Sequence, residues 1–127
     1  MKGQRKFNCM TTNVKIYHNP KCSKSRAALD LIQQKKLKVE IIEYLKFPPH
    51  SKELADIIKK LGVNVRDIVR KNEEPYKKLG LSNPKFSKSE LLEAISVYPI
   101  LLQRPIVVLK DKAAIGRPLE NVEKIIA

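Results

Sequence analysis

Val14-Lys15-Ile16-Tyr17-His18-Asn19-Pro20-Lys21-Cys22-Ser23-Lys24-Ser25-Arg26 is the stretch whose reading decides the fold. Val14 to Tyr17 alternates apolar and polar residues in a β-branched run, the pattern of a half-buried strand. Beyond Arg26, the residues Ala27, Ala28, Leu29, Leu31 and Ile32 recur at helical spacing. The loop between them turns strand into helix, and Pro20 holds Asn19 extended and stiffens the approach. Cys22 therefore falls at a helix N-terminus. There the unpaired backbone N–H groups and the positive end of the macrodipole favour an anion, either a thiolate or a bound oxyanion. A free thiol titrates near ~8.5, and such surroundings can bring it to roughly 3.5–7.5. Ser23 and Ser25 can cap the helix or donate to an oxyanion, Arg26 adds a fixed charge, and His18 lies just before the turn. A lone cysteine can equally be a small core residue. Hydroxyl and cationic neighbours suit a reactive thiol better than an inert one.

A chain of 127 residues is about one domain's worth, with 43% hydrophobic residues to build one core. No apolar run approaches the ~20 residues that span a bilayer, and Met1 to Asn13 lacks the apolar centre of a signal peptide. A soluble, cytoplasmic protein is expected, with no membrane partner. The two cysteines, Cys9 and Cys22, are too few for a disulfide scaffold and match no zinc spacing, which points to reduced thiols. His18 and His50 with these distant cysteines make a poor metal set. Residues 1–13 read as a flexible N-terminal extension, with Lys2, Arg5 and Lys6 in no periodic pattern. Cys9 receives no role there; the sharper alternative is a resolving thiol that reaches Cys22.

The net charge of +13, from 26 Lys+Arg against 13 Asp+Glu, favours anionic partners. The lysines are dispersed over helix faces, as in Lys35-Lys36 and Lys59-Lys60, and aromatics are only 6%, so the composition argues against a nucleic-acid interface. Further along, Val39 to Tyr44 reads as a second strand, parallel to the first. A helix is expected from Ser51, as N-cap, to about Leu61, closed by Gly62, and a short helical turn at Val65 to Val69. An irregular region follows around Pro75 and Gly80 to Pro84. The next helix is capped at Ser87 and stops before Pro99. Arg104 to Leu109 and Ala113 to Gly116 form a hairpin, and Leu119 to Ile126 a last helix. The result is an α/β fold, a four-stranded mixed sheet flanked by helices, with a helical insertion between strand two and the last hairpin.

Val14 to Arg26 resembles the start of the glutaredoxin-coupled arsenate reductase family, small thioredoxin-like enzymes with one catalytic cysteine in an H-N-P-x-C-x-x-S-R loop. The resemblance continues in family order through Tyr44-Leu45, Pro48-Pro49, Val65 to Asn72 with Glu74-Pro75-Tyr76, Pro99-Ile100-Leu101, Arg104 to Val108 and Gly116-Arg117-Pro118. It implies one thioredoxin-like domain over residues 14–127, with Pro105 as the cis proline that opens the third strand. It makes Cys22 the nucleophile and puts Arg70, Arg104 and Arg117 around it as the substrate-binding arginines. Ser25 and Arg26 match residues that support the anion site. His18 either biases Cys22 toward thiolate or simply packs.

The implied reaction is reduction of arsenate to arsenite, with glutathione as co-substrate, glutaredoxin as partner, and no bound cofactor or metal. Fixed guanidinium forks suit a tetrahedral oxyanion. Each arginine alone also has a plainer reading: Arg70 pairs with Glu73 or Glu74, Arg104 caps a sheet edge, Arg117 sits in a turn. Thioredoxin-like relatives include regulators that bind RNA polymerase and sense redox state through a Cys-x-x-Cys pair, but Cys22-Ser23-Lys24-Ser25 has serine in place of the second cysteine. A glutathione-dependent thiol reductase acting on another substrate is the remaining alternative. The sequence carries no sign of oligomeric state.

Overall fold

The structure, a computed structural model, describes residues 13–126. The extension expected at residues 1–13 lies outside them, Cys9 included, except that Asn13 opens the first strand. Contacts within the chain group into two units, residues 13–42 with 104–126, and Glu43–Gln103.

The first unit carries the sheet, built from β1 (Asn13–Tyr17), β2 (Lys38–Ile42), β3 (Ile106–Leu109) and β4 (Lys112–Ile115) in the order β2-β1-β3-β4. β1 pairs with β2 in parallel, Val14 opposite Val39, and with β3 antiparallel, Ile16 opposite Val107. β3 and β4 form the expected hairpin, Leu109 opposite Lys112, with Lys110 turning at φ +58°. This is the mixed four-stranded thioredoxin-like sheet that the sequence predicts.

Helix α1 (Ser23–Gln34) joins β1 to β2. Its Ser25, Ala28 and Ile32 are buried at i, i+3 and i+7, one face of a helix turned to the sheet. The helix ends at Gln34, and Lys36 just beyond it adopts a left-handed φ of +59° that cannot continue a helix. Ala28 and Ile32 pack with Val14, Ile16, Val107 and Ala114 of the sheet and with Val122 and Ile126 of the last helix, α5 (Glu120–Ile126). Tyr17, Ile106 and Val108, which alternate to the other face, are buried too.

The second unit begins with a correction. β2 ends at Ile42, not Tyr44: the Glu43 carbonyl accepts from the N–H groups of Lys46 and Phe47, both at 2.9 Å, and curls the chain into a turn. Helix α2 (Ser51–Leu61) starts one residue earlier than expected. His50 is the N-cap, in extended conformation, and Ser51 is already helical. Gly62 closes the helix at φ +69°, as expected. A 3-10 turn at Val65–Ile68 follows where a short helical turn is predicted.

The stretch predicted as irregular contains a helix, α3 (Glu74–Lys78), with Pro75 in its first turn. Proline breaks a helix interior but not its start, where the missing N–H would have no intrahelical acceptor. Helix α4 (Lys88–Val97) begins as predicted: Ser87 Oγ accepts the Glu90 N–H at 3.2 Å and Glu90 Oε1 accepts the Ser87 N–H at 2.8 Å. Leu54, Ile57 and Ile58 of α2 and Leu91, Leu92 and Ile95 of α4 form the buried apolar faces of this unit. The helical insertion thus lies between β2 and β3, where the sequence puts it.

The Arg104–Pro105 peptide is cis, and so is Arg117–Pro118, which the sequence reading did not anticipate. The two segments are joined. The Gly116 N–H donates to the Pro105 carbonyl at 2.9 Å. A Cβ at Gly116 would stand 2.7 Å from Pro105 Cγ and 3.3 Å from Val122. Only glycine permits this approach of main chain to ring. Gly116→Ala is expected to lower the unfolding free energy by roughly 1–3 kcal/mol through overpacking, read as a shift in the denaturant midpoint at unchanged slope.

Candidate active site

Asn19, Pro20, Lys21 and Cys22 form a tight turn in which the Cys22 N–H donates to the Asn19 carbonyl at 2.9 Å, with Pro20 at its second position. Asn19 Oδ1 accepts the Lys21 N–H at 3.0 Å, an Asx turn that ties the loop to itself. Cys22 leaves this turn in an extended conformation, φ −97° and ψ 122°, as the N-cap of α1. It is a free thiol with 8% of its surface exposed.

Ser25, three residues on, is fully buried and carries two duties. Its Oγ lies 2.7 Å from His18 Nδ1 and accepts the Asn19 N–H at 3.0 Å, so the two ends of the loop are fastened inside the protein. Its main-chain N–H faces the sulfur of Cys22. His18, itself buried, is held at its N–H by the Ile42 carbonyl at 2.8 Å. The bond to Ser25 ties His18 into the loop. Arg26 is exposed, and its Nη1 donates to the Pro20 carbonyl at 2.8 Å, closing the loop from outside. Ser25 and Arg26 therefore support the site by shaping the loop.

Burial pushes the Cys22 thiol up, because a thiolate loses hydration. Against it work the Ser25 N–H, the Arg104 side chain as donor, the Lys24 N–H and the charge of Arg104, and together they prevail, leaving the thiol below its ordinary value. The sulfur does not meet the geometry of a full side-chain cap hydrogen bond. The amides act on it as long, polarised donors, as the helix N-terminus does for anions generally.

Arg117 adds a second guanidinium. Its Nε donates to the Arg104 carbonyl at 2.7 Å and its Nη2 reaches Cys22 Sγ at 3.6 Å. Cys22, Arg104 and Arg117, distant in sequence, are thus brought to one place in the first unit. Arg117 lies in the bend before Pro118, and its side chain also reaches the sulfur. The main-chain donors that the sequence leads one to expect at a helix N-terminus are those of Lys24 and Ser25; the contact of Gly116 with Pro105 was not legible in the sequence.

Arg70 belongs to the helical unit. There its N–H donates to the Leu101 carbonyl at 2.7 Å, its Nε to Glu73 Oε2 at 3.1 Å and its Nη1 to Gln103 Oε1 at 3.5 Å. The pairing with Glu73 that the sequence left open is present. Among the described residues no three of His, Cys, Asp and Glu gather where they could hold a metal ion, and no helix is long and apolar enough to cross a membrane.

A family model described as the ArsC family matches residues 17–125, the whole span from the end of β1 into α5. The chain belongs to the ArsC family. Relatives of this family include a protein named arsenate reductase from Neisseria meningitidis, 49% identical over 114 residues that cover 89% of this chain and 97% of the relative. Another of that name, from Escherichia coli K12, is 42% identical over 91% of this chain and 82% of its own length. Among solved structures, an arsenate reductase from Vibrio cholerae superposes with a TM-score of 0.88 at 42% identity, covering 91% of this chain and 99% of the other. The Vibrio cholerae structure therefore shares the fold of this chain.

The lowered thiol has a measurable sign. In a Cys9→Ser background, iodoacetamide should alkylate Cys22 at a pH where an ordinary thiol is still protonated, and Arg104→Ala should move the midpoint of that rate profile upward. The same lowering links pH to stability. The folded state gains nothing below the folded pKa, gains progressively as pH rises from there toward the ordinary thiol value, and keeps the full gain above it. Cys22→Ser should abolish this part of the stability profile in thermal unfolding measured across pH.

Proposed function

We propose that this protein reduces arsenate to arsenite, with Cys22 as nucleophile, glutathione as co-substrate and glutaredoxin as partner, in a reducing, cytoplasmic compartment. The observation that carries the reading is a thiol kept below its ordinary pKa with the guanidinium groups of Arg104 and Arg117 upon it. Membership of the ArsC family and the names of the relatives from N. meningitidis and E. coli support arsenate as the substrate.

The thiolate attacks arsenic(V). A sulfur–arsenic bond forms, an arsenic–oxygen bond breaks, and the departing hydroxide takes a proton and leaves as water. Glutathione displaces a second hydroxyl in the same way. Glutaredoxin then attacks the glutathione sulfur, a disulfide forms, and the electron pair of the broken sulfur–arsenic bond stays on arsenic, which becomes arsenic(III). Hydrolysis of the Cys22–arsenic bond releases arsenite and restores the thiol. The sum is one arsenate and two thiols giving one arsenite, one disulfide and one water.

Charge builds on the arsenate oxygens as sulfur adds, and fixed cations already in place lower its energy without reorganising. Arg104 and Arg117 supply two such groups, and Arg70 is proposed as a third. Phosphate has the same shape and charge as arsenate, so discrimination rests on the willingness of arsenic to accept sulfur and electrons. Nothing in the reaction calls for a metal or an organic cofactor, because soluble thiols supply both electrons.

The test is a coupled assay with glutathione, glutaredoxin and arsenate, run beside a glutathionylated peptide as competing substrate. Arsenite should form with the parent chain and with Cys9→Ser, and should vanish with Cys22→Ser. Arg70→Ala, Arg104→Ala and Arg117→Ala should each lower kcat/KM by about one to three powers of ten. Turnover of the peptide with no arsenite formed would overturn the arsenate reading in favour of a general thiol reductase.

A further inference from the structure

Asn121 stands second in α5, half-buried, and reads in the sequence as an ordinary polar residue at a helix start. In the structure its Nδ2 donates to the Ile115 carbonyl at 3.1 Å and, more weakly, to the Arg117 carbonyl at 3.5 Å. Both neighbours are acceptors, so the amide nitrogen and not the amide oxygen must face them. The Asn121 main-chain N–H meets the Pro118 carbonyl at 3.1 Å. One residue therefore grips the bend Gly116-Arg117-Pro118 at both its ends.

On its other side the bend is held at its start, where the Gly116 N–H donates to the Pro105 carbonyl at 2.9 Å and Gly116 is pressed against the Pro105 ring. Arg117 itself is exposed, its side chain bonds the Arg104 carbonyl and reaches Cys22, and the bond to its own carbonyl is that of Asn121. A long side chain whose Cα wanders cannot keep a donor on a sulfur, and the Nη2 contact of 3.6 Å has no slack.

We propose that Asn121 is a positioning residue for the Cys22 site: it fixes the main chain of Arg117 so that the guanidinium stays on the sulfur. The proposal rests on the reading of Cys22 as a reactive thiol, but its test needs no arsenate turnover. A dead coupled assay with the coupling below intact would sink the proposed substrate and leave Asn121 in its role.

In a Cys9→Ser background, the Cys22 thiol is titrated by thiolate absorbance and by its iodoacetamide alkylation rate in the parent, Asn121→Ala, Arg117→Ala and the double variant. Asn121→Ala should raise the titration midpoint and slow alkylation at mildly acidic pH about three- to fivefold, the scale of one lost hydrogen bond. Arg117→Ala should do at least as much. The double variant should do no more than Arg117→Ala alone, since Asn121 acts only through that arginine.

Asn121→Leu supplies the second arm. The side chain keeps the branched shape of the amide, suits a helix and adds no charge, yet it has no N–H to give, and the thiol should titrate as in Asn121→Ala. This variant carries the test if Asn121→Ala fails to fold. Additive effects in the double variant, an unmoved titration in Asn121→Ala, or a parent-like titration in Asn121→Leu would each reduce Asn121 to a residue of the helix start and overturn the proposal.

Discussion

A buried sulfur that must bear charge is the constraint from which the architecture of the first unit follows. Withdrawal from water raises the thiol, and a protein can reverse this only with donors already in place. Here they come from two sources that a single chain segment could not supply. The amides of Lys24 and Ser25 are free for it because a helix starts at that point, and the guanidinium of Arg104 arrives from a distant part of the sequence, two residues ahead of the strand that pairs with β1. Strand, turn and helix set the sulfur, and the antiparallel pairing of β1 with β3 sets what faces it.

Much of this was legible in the sequence because the signals are local. β1 alternates strictly, α1 repeats its apolar residues at helical spacing, Ser87 and Glu90 spell a capping box, and Gly62 marks a helix end. The failures are equally physical. Tyr44 was assigned to a strand because its type suits one, yet the turn bonds at Glu43 override propensity. Pro75 was taken as a breaker when its position in the first turn of α3 makes it a helix starter. Ser51 looked like the cap, but the extended conformation belongs to His50.

The site was legible as residue types and not as roles. Cys22, Arg104 and Arg117 come together in the structure, while His18, open in the sequence between biasing the thiol and packing, bonds Ser25, and Arg26 bonds the Pro20 carbonyl, both across the loop. Arg70 is anchored inside the helical unit through Glu73, Gln103 and the Leu101 carbonyl, so its side chain is pre-set by neighbours and not left to find a pose. The main-chain donors follow from a pattern that puts Cys22 where a helix begins, whereas a half-buried asparagine leaves no trace, since polar residues are common at helix starts.

Arg117 divides its planar head between two tasks. One edge is committed to a carbonyl of the scaffold through Nε, and the outer nitrogen is aimed at sulfur. A lysine at this position would bring the same formal charge on a single rotating ammonium, unable to be bolted down and presented at once. What position 117 demands is therefore geometry as much as electricity: a cation with a built-in hinge pin, whose orientation is settled before any anion approaches.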